Sequence, residues 1–239
     1  MLCSVNDEYV RYTEIMHFVV RPVEAAVKDV LVGLRHALSA GRVTWLVSGG
    51  SCIEPQSQVL RELSEASLAR LTIVLVDERY CESGHENSNY AALQAARFVR
   101  AGLRFEDILA GNPSFEAAAQ RHSAVLKEAL RTADTCIATL GIGADGHTAG
   151  ILPKSPAAEA TNALALGYDA PDFSRITATF AGLLEIDVAY VFAHGPKKEN
   201  AVNRLKTHQE SLRDLPASIL YDIPSVTIYN DYIQGEERS

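Results

Sequence analysis

Cysteine is scarce in this sequence of 239 residues, and the four cysteines present are far apart: Cys3, Cys52, Cys81 and Cys136. No two of them form a C-x-x-C pair, and no histidines accompany them at the spacing of a zinc site. This pattern argues against a disulfide framework and against a structural zinc ion. It predicts reduced thiols in a cytoplasmic protein.

Long apolar runs and an excess of positive charge are also missing. No window approaches the ~18 uninterrupted apolar residues of a membrane span. Asp7, Glu8, Arg11 and Glu14 occupy the stretch where a secretory signal needs an apolar core. The 22 Lys+Arg are outnumbered by 30 Asp+Glu, which gives a formal net charge of -8. We therefore expect a soluble, unprocessed protein with no nucleic-acid or membrane partner, in which an anionic ligand needs a local positive site.

Short apolar runs alternate with longer segments whose apolar residues recur three and four positions apart, as in strands and amphipathic helices. The predicted strands are 43–47, 71–76, 136–140, 163–166, 176–180 and 188–193. The predicted helices are 23–40, 55–66, 89–99 with Ser88 as N-cap, one from Ser114 to about residue 130, and one near Lys197. The pattern predicts a single α/β domain over residues 1–239. Its sheet is expected to be mostly parallel, covered by helices on both faces, and mixed toward the C-terminal half.

Four predicted strands run into clusters of glycine, polar or charged residues. The clusters are SGGS at 48–51, DER at 77–79, GIGADGH at 141–147 and HGPKK at 194–198. The carboxyl ends of parallel strands lie along one edge of a sheet, so the clusters are expected to meet in one crevice. For any single cluster, an ordinary turn explains glycine, serine and aspartate equally well. The cations, the paired carboxylates and the Asp-Gly-His sequence together favour a binding site.

The SGGS segment suits an oxyanion such as phosphate. Gly49 and Gly50 let backbone N–H groups approach a ligand closely, and Ser48 and Ser51 add hydroxyl donors. The helix that follows directs its positive end at the charge. The segment lacks the G-x-x-x-x-G-K-[ST] pattern of nucleoside triphosphatases, which argues against ATP chemistry.

The stretch GIGADGHTAG at 141–150 contains G-x-G-x-x-G, the pattern of a dinucleotide-binding turn. That pattern needs a helix after the third glycine and an acidic residue about 20 positions later. Pro153 and Pro156 would end any helix within two turns of Gly146. We therefore interpret the stretch as an anion-binding turn that aims His147, a residue able to take a proton from water and return it to a leaving group.

Other titratable residues are weaker candidates. His85, in a polar loop beside Asn89, is a second candidate base. The remaining histidines are interpreted as surface, packing or strand-end residues: His17, His36, His122, His194 and His208. Asp77 and Glu78 would point to opposite faces of a strand, so at most one of them is expected in the crevice.

Taken in order, these residues resemble the 6-phosphogluconolactonases, within the wider family that includes glucosamine-6-phosphate isomerases/deaminases. The matching motifs span about residues 20–230 and are Ser48-Gly-Gly-Ser51, Asp77-Glu-Arg79, Ser88-Asn-Tyr90, Gly141-x-Gly-x-Asp-Gly-His-Thr148, Arg175-Ile-Thr-x-Thr179, Gly195-x-x-Lys198 and Leu215-Pro-Ala217. The resemblance implies a Rossmann-like three-layer α/β/α fold and hydrolysis of 6-phospho-D-glucono-1,5-lactone in the oxidative pentose phosphate pathway. It also implies that neither a metal nor an organic cofactor is required.

On this hypothesis each candidate residue has a role. His147 is the general base, Asp145 orients it, lines the ring pocket or only forms the turn, and Asp77 binds substrate hydroxyls. The phosphate and the sugar oxygens are assigned to Ser48, Gly49, Gly50, Ser51, Arg79, Asn89, Gly143, Arg175 and Lys198. Arg175 reaches the crevice only if its strand runs antiparallel. The ligand is a small phosphosugar lactone, and the protein is expected to be a monomer or a weak homodimer.

The chain departs from the family pattern in two places. Cys52-Ile-Glu-Pro55 replaces the usual Thr-Pro after SGGS, which affects the shape of the phosphate loop, and Cys52 itself is interpreted as a small buried thiol. Ala149-Gly-Ile-Leu-Pro153 replaces Ala-Ser-Leu-Phe-Pro, which alters the pocket lining. The deaminase branch matches less well, because its Asp-Glu-Tyr and the acidic residue after its Gly-His are missing. A sugar-phosphate sensor without turnover is the other alternative, and a test of catalysis separates it from an enzyme.

Overall fold

The computed structural model describes residues 15–100, 102–160 and 163–233, so Cys3 and the charged residues at 7–14 lie outside the described part. The strands are β1 (Ile15–Val20), β2 (Val43–Val47), β3 (Leu71–Leu75), β4 (Asp77–Arg79), β5 (Arg104–Phe105), β6 (Thr135–Gly141), β7 (Ala165–Asp169), β8 (Ser174–Ala178), β9 (Val188–Ala193) and β10 (Ser225–Asn230). The helices are α1 (Val23–Ala40), α2 (Ile53–Arg61), α3 (Glu65–Leu68), α4 (Asn89–Ala95), α5 (Phe115–Thr132), α6 (Phe180–Leu183) and α7 (Glu199–Thr207). None of the helices within these ranges is long and apolar enough to cross a membrane.

A seven-stranded sheet in the order β1-β10-β9-β6-β2-β3-β5 forms the centre of the fold, and every neighbouring pair in it is parallel. Successive strand residues point to opposite faces. Leu46, Val74 and Ala138 pack in one apolar cluster with residues of α5 and α7. Trp45 and Ile73 pack in the other, with residues of α1 and α2. The predicted α/β fold, with helices on both faces of a parallel sheet, is confirmed.

A smaller antiparallel sheet, in the order β4-β8-β7, accompanies the parallel one. The chain passes between the two sheets at Val76. Its N–H donates to the carbonyl of Val47 at 2.8 Å, and its carbonyl accepts the N–H of Ala178 at 2.8 Å. The antiparallel strands expected in the C-terminal half are therefore present, but they form their own sheet and do not mix into the main one. The 77–79 cluster belongs to this second sheet.

Most predicted helices and strands are present, several with shifted ends. α1, β2 and β9 have the predicted bounds, and Ser88 and Ser114 cap α4 and α5 by accepting a backbone N–H three residues on. The helix predicted at 55–66 is two helices, because Ser64 interrupts it as the N-cap of α3. Neither β1 nor β10 was predicted. β10 follows a 3₁₀ helix (Pro216–Asp222), so the chain before it lacks the amphipathic α-helical pattern that would have indicated another strand after a helix.

Candidate active site

A cleft lies at the carboxyl ends of the parallel strands and beside the small sheet. It is lined by Ser48, Gly49, Gly50, Ser51, Cys52, Asp77, Arg79, Asn89, Gly141, Ile142, Gly143, His147, Ala149, Arg175 and Lys198. All the predicted site residues line it except Asp145, which is hydrogen-bonded to His147. Cys52, Gly141, Ile142 and Ala149 also line the cleft, and the sequence assigned none of them a binding or catalytic role, because small and apolar side chains carry no chemical signal of their own.

The SGGS segment follows β2 and leads through a 3₁₀ turn (Gly50–Cys52) into α2. Gly50 has φ +60°, a left-handed conformation that favours glycine. A Cβ at Gly49 would lie 2.1 Å from Oδ1 of Asn89, so only glycine permits this close approach. The buried Oγ of Ser48 has no hydrogen-bond partner in the described part of the chain. A ligand oxygen in the cleft would supply one.

The stretch after β6 is a tight turn. The N–H of Gly143 donates to the carbonyl of His147 at 2.9 Å, and Gly146 has φ +94°. A β-bridge joins Thr148 to Ile151 at the position where a dinucleotide site has its helix. The turn therefore lacks the helix that dinucleotide binding requires, as the prolines predicted.

His147 is held by Asp145. One carboxylate oxygen, Oδ1, accepts the backbone N–H of His147 at 3.1 Å and lies 2.6 Å from its Nδ1. Because a carboxylate only accepts hydrogen bonds, Nδ1 carries a proton and Nε2 is the nitrogen that can exchange one with the cleft. Partial burial raises the pKa of Asp145, but the hydrogen bonds and the charge of His147 together outweigh burial and lower the pKa to about 2. The two side chains have the arrangement of a general base and an orienting carboxylate.

Three cations face the cleft. Arg79 on β4 and Arg175 on β8 are register partners in an antiparallel pair, so their side chains lie on the same face. Arg175 donates to Asp172 at 2.6 Å, and its buried Nε has no partner among the described residues. Nζ of Lys198 donates to Oγ of Ser51 at 2.9 Å, and burial lowers the pKa of this lysine. The cations provide the local positive site that an acidic chain needs to bind an anion.

Asp77 and Glu78 point to opposite faces of β4, as predicted. Asp77 lines the cleft and accepts a hydrogen bond from Nδ2 of Asn89 at 3.3 Å; burial raises its pKa. Glu78 is buried on the other face, where its carboxylate accepts hydrogen bonds from the backbone N–H groups of Arg79, Asn89 and Tyr90 and from the hydroxyl of Ser88. Glu78 thus connects β4 to the beginning of α4.

The other histidines whose contacts are described lie away from the cleft. Nδ1 of His85 accepts the N–H of Asn87 within its own loop, so the structure does not bring this second candidate base to the site. His122 is buried and contacts the carbonyl of Leu75, whereas His194, directly after β9, contacts the carbonyl of Arg21. Within the described ranges, no group of three or more His, Cys, Asp or Glu could hold a metal ion.

Cys52, Cys81 and Cys136 are free thiols. Burial raises the pKa of Cys52 to about 11, so this thiol stays protonated beside the SGGS segment. Cys52 is therefore a small buried packing residue, as predicted.

Known proteins share both sequence and fold with this chain. A model of the family described as glucosamine-6-phosphate isomerases/6-phosphogluconolactonase matches residues 21–228. The 6-phosphogluconolactonase of Rhizobium meliloti is 30% identical over 195 residues, which cover 75% of this chain and 81% of that protein. The 6-phosphogluconolactonase of Homo sapiens is 27% identical over 205 residues, which cover 80% of this chain and 76% of that protein. The crystal structure of a 6-phosphogluconolactonase from Shewanella baltica has the same fold, with a TM-score of 0.75 at 20% identity over 91% of this chain and 97% of that one. This chain belongs to the glucosamine-6-phosphate isomerase/6-phosphogluconolactonase family.

Proposed function

We propose that this chain hydrolyses 6-phospho-D-glucono-1,5-lactone to 6-phospho-D-gluconate, as a hydrolase of the oxidative pentose phosphate pathway. The relatives described above bear the name 6-phosphogluconolactonase. The observation that carries the proposal is one cleft that combines His147, held by Asp145, with Arg79, Arg175 and Lys198. The histidine suits hydrolysis of the lactone ester, and the cations suit a remote phosphate.

His147 acts in both halves of the proposed reaction. Its Nε2 takes a proton from a water molecule as the water oxygen attacks C1 of the lactone. The imidazolium then gives that proton to the ring oxygen as the bond from C1 to this oxygen breaks. Asp145 holds the Nδ1–H and stabilises the imidazolium. A positioned base of this kind contributes ~10²–10⁴ to the rate.

The phosphate is proposed to bind between Arg175, Lys198 and the SGGS segment. Nε of Arg175 and Oγ of Ser48 are buried polar atoms with no partner among the described residues, and each could donate to a phosphate oxygen. Holding the phosphate orients the lactone at His147, so loss of these contacts affects kcat as well as KM.

The sugar ring is proposed to lie between the phosphate contacts and His147. Arg79, Asp77, Asn89 and Gly143 line the cleft as well, and we assign them to the sugar hydroxyls and the C1 oxyanion. We expect no metal or organic cofactor to be needed, because the scheme uses only water, a base and hydrogen-bond donors.

The test follows lactone hydrolysis above its spontaneous rate by coupling the product to 6-phosphogluconate dehydrogenase. Wild type should accelerate the reaction, and His147→Ala should lower kcat by at least ~10² while still binding 6-phosphogluconate. Ammonia release from glucosamine 6-phosphate without lactone hydrolysis would move the chain to the deaminase branch. Binding of phosphosugars with neither activity would favour a sensor.

Some predictions from the sequence remain as proposals. We propose a single lactonase domain over residues 1–239, a cytoplasmic location, a monomer or weak homodimer, and no nucleic-acid or membrane partner. The net charge of -8 supports the last of these, because the positive side chains of the cleft are local.

A further inference from the structure

Gln56, in α2, binds both polar groups of the Ser48 backbone. Its Nε2 donates to the Ser48 carbonyl at 2.7 Å, and its Oε1 accepts the Ser48 N–H at 2.9 Å. Gln56 is 1% exposed, so water does not compete for either bond. These two hydrogen bonds satisfy the backbone of Ser48 in the way that pairing with a neighbouring strand satisfies the preceding residues of β2.

The orientation of the Gln56 amide is determined by the Ser48 backbone, because its N–H can only donate and its carbonyl can only accept. An indole N–H can only donate, and Nε1 of Trp45 donates to Oγ1 of Thr139 at 3.2 Å. In this orientation the Thr139 hydroxyl, which accepts from Trp45, donates its own proton to Oε1 of Gln56. Oε1 thus accepts from two donors, and Nε2 is the group that faces the Ser48 carbonyl.

The Ser48 peptide is held at the point where the chain leaves β2 and enters the cleft. Oγ of Ser48 is buried there without a hydrogen-bond partner in the described residues, and Gly49 and Gly50 follow directly. A shifted peptide would redirect both the hydroxyl and the N–H groups after it. Gln56 does not line the cleft, so it can affect a ligand there only through the residues it holds.

We propose that Gln56 is a positioning residue that fixes Ser48, Gly49 and Gly50 in the geometry that binds the substrate's phosphate. The inference rests on the proposed function for the identity of the ligand, but it does not depend on turnover. It assigns a specific part in phosphosugar affinity to a side chain that does not touch the ligand.

The test measures the Kd of 6-phosphogluconate by calorimetry. Each variant's Kd is divided by the wild-type Kd at the same pH, because the phosphate of the ligand also changes its charge with pH. Gln56→Met keeps a similar volume and removes both hydrogen bonds to Ser48, so Kd should rise about tenfold. Gln56→Glu places a second oxygen against the Ser48 carbonyl. It should weaken binding at about pH 8.5 and return to within about threefold of wild type at about pH 5.5, where the protonated carboxyl can donate instead of Nε2.

The matched control is Gln58→Glu. Gln58 lies two residues along the same helix and contacts Glu54, so the variant adds the same charge without contacting Ser48. Its Kd should stay within about twofold of wild type at both pH values. An effect equal to that of Gln56→Glu would overturn the proposal, because the charge of the helix alone would then explain the loss.

Two further results with the Gln56 variants would overturn the proposal. One is a folded Gln56→Met variant, checked by thermal unfolding, that binds as wild type does. The other is a Gln56→Glu ratio that is high and equal at both pH values, since a packing defect does not respond to protonation. If Gln56→Met does not fold, the Gln56→Glu series decides alone.

Wild type that binds 6-phosphogluconate without hydrolysing the lactone would refute the proposed function and leave this test in force, whereas wild type that does not bind it would overturn this inference.

Discussion

A single carboxylate oxygen of Asp145 holds both the ring and the main chain of His147. Oδ1 lies 2.6 Å from Nδ1 of the imidazole and 3.1 Å from the backbone nitrogen of the same residue. Since the pKa of Asp145 is lowered to about 2, the aspartate remains ionised at any pH at which the lactone would be assayed. The orientation of the proposed base therefore does not depend on assay pH through this carboxylate.

Asp145→Asn is expected to lower kcat on the order of 10²-fold and to leave KM within about threefold. The amide carries no charge to stabilise the imidazolium, and its NH₂ group can turn toward Nδ1 and favour the wrong tautomer. Steady-state lactone hydrolysis measures the effect, with the Kd of 6-phosphogluconate as a check that the cleft still binds. An unchanged kcat, or a loss confined to KM, would show that Asp145 only forms the turn.

Gly143→Ala is expected to displace His147 with little cost in stability. The added Cβ would lie 2.1 Å from Nδ1 of His147 and 2.7 Å from Oδ1 of Asp145, and both are ends of side chains that can move. We expect kcat to fall at least about tenfold, because a misplaced base loses its alignment with the attacking water.

Gly141→Ala is the matched control for this prediction. A Cβ there would meet only Sγ of Cys52, at 3.5 Å, which is an ordinary contact. Its kcat should stay close to that of wild type. Equal losses in Gly141→Ala and Gly143→Ala would point to a general effect on the turn and would count against a specific contact with His147.

The meeting of SGGS and GIGADGH in one cleft could be predicted because it follows from local patterns. The buried run of β2 and that of β6 each end in a glycine-rich cluster, and parallel strands place such ends at one edge. The N-caps Ser88 and Ser114 were predictable for the same reason, since each contacts a backbone N–H only three residues away.

Contacts between residues distant in sequence could not be predicted in this way. Arg175 reaches the cleft because β8 runs antiparallel to β4, a pairing that no local pattern specifies. The contact of Asn89 with the SGGS segment likewise depends on how α4 packs. Gln56 resembles any polar residue of an amphipathic helix, and its contact with Thr139 spans 83 positions in the chain.

Lys198 is expected to make phosphosugar binding sensitive to alkaline pH. Burial lowers the pKa of Lys198, so its charge is lost at a lower pH than that of a free lysine, about 10.4. The Kd of 6-phosphogluconate should therefore begin to rise below that pH. Lys198→Arg should remove this rise, because a guanidinium keeps its charge over this pH range. This holds whatever the absolute affinity of the variant for 6-phosphogluconate. Lys197→Arg, at the exposed neighbouring position, should retain it. The same alkaline rise in Lys198→Arg would exclude Lys198 as its source.

Glu78 is expected to make the stability of the fold depend on pH. Burial raises the pKa of this carboxyl from 4.5 to about 7. The four hydrogen bonds that the carboxylate accepts favour the ionised form, but burial outweighs them. Between these two pH values the folded state binds more protons at this site than the unfolded chain does. The contribution of Glu78 to stability is therefore fully present below about pH 4.5 and is lost as pH rises through about 7. The free energy of unfolding should fall by about 3 kcal/mol over this range.

Urea unfolding between about pH 4.5 and 8 tests this dependence. Glu78→Gln is expected to make it less steep, because the amide does not titrate. Glu116→Gln, at an exposed position at the beginning of α5, should keep the wild-type slope. Glu78→Gln should also be less stable than wild type near pH 4.5, because the NH₂ group of the new amide faces N–H and O–H donors from the start of α4. A slope in Glu78→Gln as steep as that of wild type would mean that another buried group, such as Asp77, takes up the proton instead of Glu78, and the double variant with Asp77→Asn would then lose the slope.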